Sequence, residues 1–368
     1  LEHTKKDILK IGVLTFHRCI NYGSYWQARC LTEGLQARGH QVEILDHDSD
    51  RVNQAEWTCA FQPVLPTHVP KSDYPQYREK ILKFFQIFKT MPLSRRFQLD
   101  NPAEMDNYDV VVVGSDEVWN LSHPWFGGCS IFYGDNVRAK RLISYAASFG
   151  NYDATWGMDP TWAEKLRNFD QISVRDANSQ EIVNNALGFE PEMVLDPCLQ
   201  FPVTPDDRSL SNLPKSYLAV YGHNFSESFA REIQNYARTK NLPLISIGYR
   251  NDFADEQWLT ADPHDFAHFM AKAEAVATNF FHGCVFALRN ARPFVCETTP
   301  YRRYKLQGLM AKIGGEKHLI LEGTTSEVFE ARLSKPLNPE ITERINLLRQ
   351  SSQAYLDRAL STKQLQPA

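Results

Sequence analysis

The chain has 368 residues, more than one hydrophobic core usually holds, and at about 150 residues per domain it divides into two. Apolar residues at 43% and charged residues at 23% are ordinary globular usage and exclude disordered and collagen-like classes. A formal net charge of −4 argues against a general nucleic-acid binder, which is normally basic. No apolar run approaches the roughly 18 residues of a membrane span, and the charged first residues do not read as a secretory signal. Seven scattered cysteines without a CxxC pair suit neither a zinc site nor a disulfide framework, so a cytoplasmic protein is expected.

Along the chain, Ile8 to Phe16 reads as a short apolar strand and His17 to Ser24 as a polar loop. A helix follows, with Ala28, Leu31 and Leu35 on one face. Gly39 closes it before the strand Gln41 to Leu45. From Asp50 to Asn107 the pattern is irregular, with one helix near Tyr77 to Phe88; its aromatics and prolines read as loop and packing. Tyr108 to Val113 is a near-continuous apolar strand, as in a parallel strand covered on both faces, and Arg141 to Phe149 is another.

The second half alternates more regularly. Strands are expected at Gln171 to Val174, Met193 to Leu195, Tyr217 to Tyr221, Leu244 to Ile247, Ala275 to Asn279 and Phe294 to Cys296. A helix from Glu227 to Lys240 carries Phe229, Ile233, Tyr236 and Ala237 on one side. Strands alternating with helices mean an α/β fold with parallel sheets. The expected organisation is two Rossmann-like domains facing a cleft, residues 1–165 and 166–335. A last helix within 336–368, from about Pro339 to Leu360, is placed to pack back across the junction.

In such sheets ligands sit beyond the carboxyl ends of the strands, so the loops there are where chemistry is sought. Asn21-Tyr22-Gly23-Ser24 leads into a helix whose free N–H groups could take an anion or a hydroxyl, or Ser24 simply caps it. Gly114-Ser115-Asp116-Glu117-Val118-Trp119-Asn120 sets carboxylates beside an aromatic ring, as a sugar site needs; a helix cap and a core tryptophan are the plain alternative. Arg175 leaves a strand where its guanidinium can grip a carboxylate or phosphate, or pair with a neighbouring acid. His282, in Thr278-Asn279-Phe280-Phe281-His282-Gly283, stands at a helix start facing the cleft. His264 and His268 are four apart but fall opposite the apolar face Phe266, Phe269, Met270 and Ala273, and no third metal ligand accompanies them.

Taken in order, these pieces resemble the polysaccharide pyruvyl transferase family: NYGSYWQA (21–28), DVVVVGSDEVWN (109–120), ISYAASFG (143–150), ISVRD (172–176), VLDP (194–197) and ATNFFHGCVFALRNARPFV (277–295). The resemblance implies a glycosyltransferase B-like fold and transfer of the pyruvyl group of phosphoenolpyruvate to two sugar hydroxyls as a cyclic ketal. It implies His282 as general acid and Arg175 as the arginine on the donor. Gly283, Asn279, His223, Asn224, Arg302 and Arg303 fall on the donor side. Asn21, Tyr22, Gly23, Ser115, Asp116 and Trp119 fall on the acceptor side. No metal or other cofactor is expected. The partners implied are phosphoenolpyruvate and a free, nucleotide-linked or lipid-linked sugar, with no nucleic acid, in the cytoplasm or at the inner membrane face. Some family members carry an arginine where Phe280 stands, others a small polar residue; Arg302 and Arg303, with Lys305 nearby, could replace it, or they form a solvated basic loop. The alternatives are a nucleotide-sugar glycosyltransferase of the same fold or a non-catalytic glycan-binding homologue.

Overall fold

Residues 8–63, 68–204 and 213–361 are described by a computed structural model. The strands are β1 (Lys10–Leu14), β2 (Gln41–Ile44), β3 (His47–Asp48), β4 (Phe97–Gln98), β5 (Tyr108–Val113), β6 (Ala139–Ser144), β7 (Ser173–Val174), β8 (Glu192–Met193), β9 (Leu218–Tyr221), β10 (Leu244–Ile247), β11 (Glu256–Trp258), β12 (Ala275–Thr278), β13 (Phe294–Glu297) and β14 (Leu319–Ile320). The helices are α1 (Tyr22–Gln36), α2 (Asp50–Phe61), α3 (Tyr74–Phe88), α4 (Pro160–Leu166), α5 (Ala177–Leu187), α6 (Pro197–Gln200), α7 (Glu227–Lys240), α8 (Pro263–Lys272), α9 (Phe281–Arg289), α10 (Arg303–Ile313), α11 (Ser326–Leu333) and α12 (Pro339–Ala359).

Two parallel sheets carry the fold, in the orders β2-β1-β5-β6 and β11-β10-β9-β12-β13-β14. The valines of β5 are buried because helices cover both faces of a parallel sheet. Single bridges, Ile143 to Gln171 and Ala147 to Val174, attach the pair β7-β8 to the edge of the first sheet. The boundary expected at 165/166 therefore falls inside the first unit: the parallel pairing at β6 carries that unit on to β8. Arg175, which leaves β7, is thus tied to the edge of the first sheet and not to the second.

The expected irregular stretch after Asp50 contains a helix, α2, that the sequence reading omitted. Only Val52 and Ala60 of it are buried, so its apolar pattern is too sparse to give a helical stripe. The last helix, α12, bonds to residues at β6 and after β8. Tyr355 Oη donates to Ser144 O at 2.6 Å, Ser352 Oγ accepts from Leu195 N, and Arg141 caps the helix end at Ala359 O and Ser361 O.

One apolar core runs through both halves, and α1 is its shared element. Asn21 caps α1, its Oδ1 accepting from Gly23 N and Ser24 N, which fixes where the helix starts. Tyr22 stacks on Phe266 of α8 with ring centres 4.6 Å apart, and its Oη donates to Ala261 O at 2.8 Å. Trp26 Nε1 donates to Pro263 O at 2.8 Å. Since α8 lies between α1 and its own sheet, its far side is covered as well. His264 and His268 are thus buried, not on an open face, and His264 Nε2 lies 2.9 Å from Arg29 Nη1.

Truncating Trp26 to Ala removes a fully buried indole at this junction and should cost roughly 3–5 kcal/mol. Tyr22→Phe, which loses only one buried hydrogen bond, should cost about 1 kcal/mol. Urea unfolding of both variants measures the difference; equal, negligible losses would mean that α1 does not hold the halves together.

Candidate active site

A cavity of about 520 Å³ opens between the two sheets at the carboxyl ends of their strands. The loop after β1, α2 and α3 supply one wall, the loop after β5 supplies the floor, and α9 with the start of α10 closes the other side. The motifs recognised in the sequence converge there because parallel strands all deliver their following loops to the same edge.

At the floor lies a buried charge cluster. Arg175 donates through Nη2 to Asp116 Oδ1 at 3.0 Å and through Nη1 to Asp196 Oδ2 at 3.1 Å, while its guanidinium lies 4.7 Å over the Phe281 ring. Asp116 also accepts from Ser24 Oγ at 3.0 Å, and its backbone sits at φ 77°, a left-handed position that few non-glycine residues take. Glu117 pairs with Lys305 from α10 and accepts from Asn120 Nδ2 at 3.0 Å. Burial pushes both carboxyls up, but Arg175 and Lys305 outweigh it and hold Asp116 and Glu117 below the usual range.

His282 sits over this cluster, 9% exposed, in the first turn of α9. Its Nε2 lies 3.5 Å from Asp196 Oδ2 and has no hydrogen-bond partner among the described residues. The ring packs against α1: a Cβ on Gly23 would stand 2.0 Å from His282 Nδ1, so only glycine fits. Asp196 caps α6 at Cys198 N. Burial raises its carboxyl, but His282 and Arg175 bring it down to about 2. Asp196, Cys198 and His282 offer ligand atoms within 4.8 Å of one another, yet the guanidinium already on Asp196 Oδ2 opposes a metal ion there.

On the far wall Arg302 stacks on the Phe280 ring at 4.4 Å and has no carboxylate in ion-pair distance among the described residues. His223 lies edge-on to Phe280, and burial together with Arg302 pushes its pKa down to about 4. Lys80 of α3 is buried between the rings of Tyr77 and Tyr249, each 5.0 Å away, and donates to Gly248 O at 2.8 Å. Burial lowers its pKa to about 7.

The sequence profile of the polysaccharide pyruvyl transferases matches residues 21–299, which contain Asp116, Arg175, Asp196 and His282. The chain belongs to the polysaccharide pyruvyl transferase family. A comparison with curated proteins gives no match. Among solved structures, the Staphylococcus aureus MnaA–UDP co-structure is 12% identical, with a TM-score of 0.54 over 98% of this chain and 99% of that one. A UDP-N-acetylglucosamine 2-epimerase is likewise 12% identical, with a TM-score of 0.54 over 99% of both chains. The Methanocaldococcus jannaschii epimerase in complex with UDP-GlcNAc and UDP is 12% identical, with a TM-score of 0.50 over 93% of this chain and 99% of that one. At such identity these likenesses establish the fold, two Rossmann-like domains of the glycosyltransferase B type. None of the described helices is long and apolar enough to cross a membrane.

In this pyruvyl transferase family member the expected site residues separate clearly. Asn21, Asp116, Arg175, His223, Asn224, His282 and Arg302 line the cavity. Tyr22 does not: it is part of the core between the halves. Trp119 is fully buried, its Nε1 donating to Phe132 O at 2.8 Å, so it anchors the first core and offers no face to a sugar. Ser115 is buried, its carbonyl accepting from Thr15 Oγ1. Asn279 braces His223 O through Nδ2, and Gly283 packs so closely on Thr278 that a Cβ would lie 2.0 Å from Oγ1. Arg303 points away from the cavity and is exposed, bonded to Tyr304 Oη. Arg175 lines the cavity, but two aspartates occupy its fork. Glu56 and Lys80 were missed, since the stretch after Asp50 shows no motif, and His123 and Trp125 because they fall just past the motif that ends at Asn120.

Because Asp196 titrates near 2 in the fold against an ordinary 3.8, its stabilisation is complete above about pH 4 and is lost as pH falls toward 2. Asp196→Asn should flatten the stability decline across that window in urea titrations at stepped pH. Gly23→Ala should displace the His282 ring and cut turnover at least tenfold while far-ultraviolet circular dichroism stays native; unchanged turnover would show that the ring's seat on α1 is immaterial.

Proposed function

We propose that this enzyme moves the pyruvyl group of phosphoenolpyruvate onto two hydroxyls of a sugar in a glycan precursor, closing a cyclic ketal and releasing phosphate. The observation that carries this reading is one cavity lined both by an imidazole backed by a carboxylate, His282 on Asp196, and by an arginine with no carboxylate partner among the described residues, Arg302.

The chemistry asks for a proton at C3 of the enol, which turns C2 into a cation-like electrophile. His282 is the residue suited to deliver it. The ionised Asp196 beside the ring offsets the charge of the imidazolium and orients it. One hydroxyl oxygen bonds to C2, the C2–O bond to phosphate breaks, and the second hydroxyl closes the ketal. Of the two hydroxyl protons, one balances the proton placed on C3 and the other leaves with phosphate, so no oxidant or reductant enters. Arg302 supplies the grip on the carboxylate or phosphate that Phe280 cannot give, its plane set by stacking on that same ring. Arg175 acts one step back: it holds Asp116 and Asp196 in place rather than gripping the donor.

Calorimetry with phosphoenolpyruvate, and uridine diphosphate as control, tests the reading. Wild type should bind phosphoenolpyruvate, and Arg302→Ala should weaken binding roughly 10- to 100-fold. His282→Ala should keep binding but lose at least about 100-fold in phosphate release. Binding of uridine diphosphate without phosphoenolpyruvate would overturn the proposal in favour of nucleotide-sugar chemistry.

A further inference from the structure

The cavity has a second end that the chemistry above leaves unused. There the loop after β5 brings His123 and Trp125 against Glu56 of α2 and Phe16 beyond β1. Trp125 Nε1 donates to Glu56 Oε1 at 3.0 Å, which fixes the tilt of a partly exposed indole. Glu56 Oε2 accepts from Ile20 N at 3.3 Å, leaving lone pairs on both oxygens. His123 meets Trp125 edge-on, ring centres 5.3 Å apart.

The tautomer of His123 follows from its neighbours. The N–H groups of Trp125 and Phe126 both donate to Nδ1, at 3.4 and 3.2 Å, so the ring proton sits on Nε2. That N–H is what the residue can offer to the cavity it lines. Burial keeps the ring neutral by pulling its pKa below the ordinary value, against the opposing charges of Glu117 and Asp116 and with that of Lys305. Asp116, Glu117 and Lys305 line the same cavity as His123.

A sugar ring presents an apolar C–H face edged by hydroxyls, each of which both donates and accepts. An indole face flanked by one acceptor, Glu56, and one donor, His123, is complementary to that pattern. We propose that Trp125, Glu56 and His123 form the acceptor-sugar subsite, with the sugar ring on the indole and its hydroxyls on Glu56 and His123 Nε2. The proposal rests on the pyruvyl-transfer reading of the cavity. It replaces Trp119 and Tyr22, which packing has removed from reach, with Glu56 from the irregular stretch and with His123 and Trp125 from just beyond the Asp109–Asn120 motif.

The test is saturation-transfer NMR with millimolar methyl glycosides of glucose, galactose, mannose and N-acetylglucosamine, phosphoenolpyruvate present. Wild type should bind at least one of them. Trp125→Ala should weaken that binding roughly tenfold or more, Glu56→Gln should weaken it too, and Trp125→Phe should restore most of it. Calorimetric binding of phosphoenolpyruvate should be unchanged in all three variants, which also reports that they fold. Glycoside binding that is absent in wild type, or equal in wild type, Trp125→Ala and Glu56→Gln, overturns the subsite. Wild type that ignores phosphoenolpyruvate but binds a glycoside through Trp125 overturns the donor assignment and leaves the subsite standing.

Discussion

A guanidinium taken out of water is tolerated only when anions meet it, and Arg175 meets two. Its partners come from different places in the chain: Asp116 follows β5, and Asp196 stands at the entrance to α6. Around this ion triplet the rest of the floor is arranged. Asp116 reaches Ser24 in the first turn of α1, and Asp196 faces His282 in the first turn of α9. Removing Arg175 would leave two buried carboxylates with no cation between them, a loss typically of about 3–5 kcal/mol. The triplet therefore sets the positions of the helix starts that bring the two halves to the cavity.

The second constraint is steric. Gly23 lets α1 approach His282 to a distance that any side chain would forbid, and Tyr22 and Trp26 on the same helix seal the contact with α8. Charge and packing thus act on the same short helix from opposite sides. At the cavity, His282 Nε2 has no hydrogen-bond partner and the Arg302 guanidinium has no carboxylate partner among the described residues. Arg302 stands over the Phe280 ring, 4.4 Å from its centre, on the wall of the same cavity.

Much of the fold was legible in the order of residues. The apolar run Tyr108–Val113 reads as a covered parallel strand because nothing in it could face water. Strand-to-helix loops read as functional because they mark the one sheet edge where ligands bind, and Asp116, Arg175 and His282 do meet there. Less legible was the membership of β7 and β8, since two-residue strands carry almost no periodicity and their sheet is chosen by bridges to β6. The burial of His264 and His268 was invisible for a related reason: amphipathicity reveals one covered face, and a helix held between two neighbours has two.

By itself the sequence determined the α/β alternation, the family and the group of loops that surround the cavity, because hydrophobic period and local motif are properties of neighbouring residues. Tertiary structure alone decided what each polar group is free to do. Arg175 is occupied because two distant aspartates reach it, and Trp119 is hidden while Trp125 lines the cavity because one packs among Tyr133, Phe149 and Phe169 and the other beside Glu56. Availability to a ligand is a property of what the rest of the chain has left unpaired, and residues far apart in sequence, 188 positions for the Glu117–Lys305 pair, settle it.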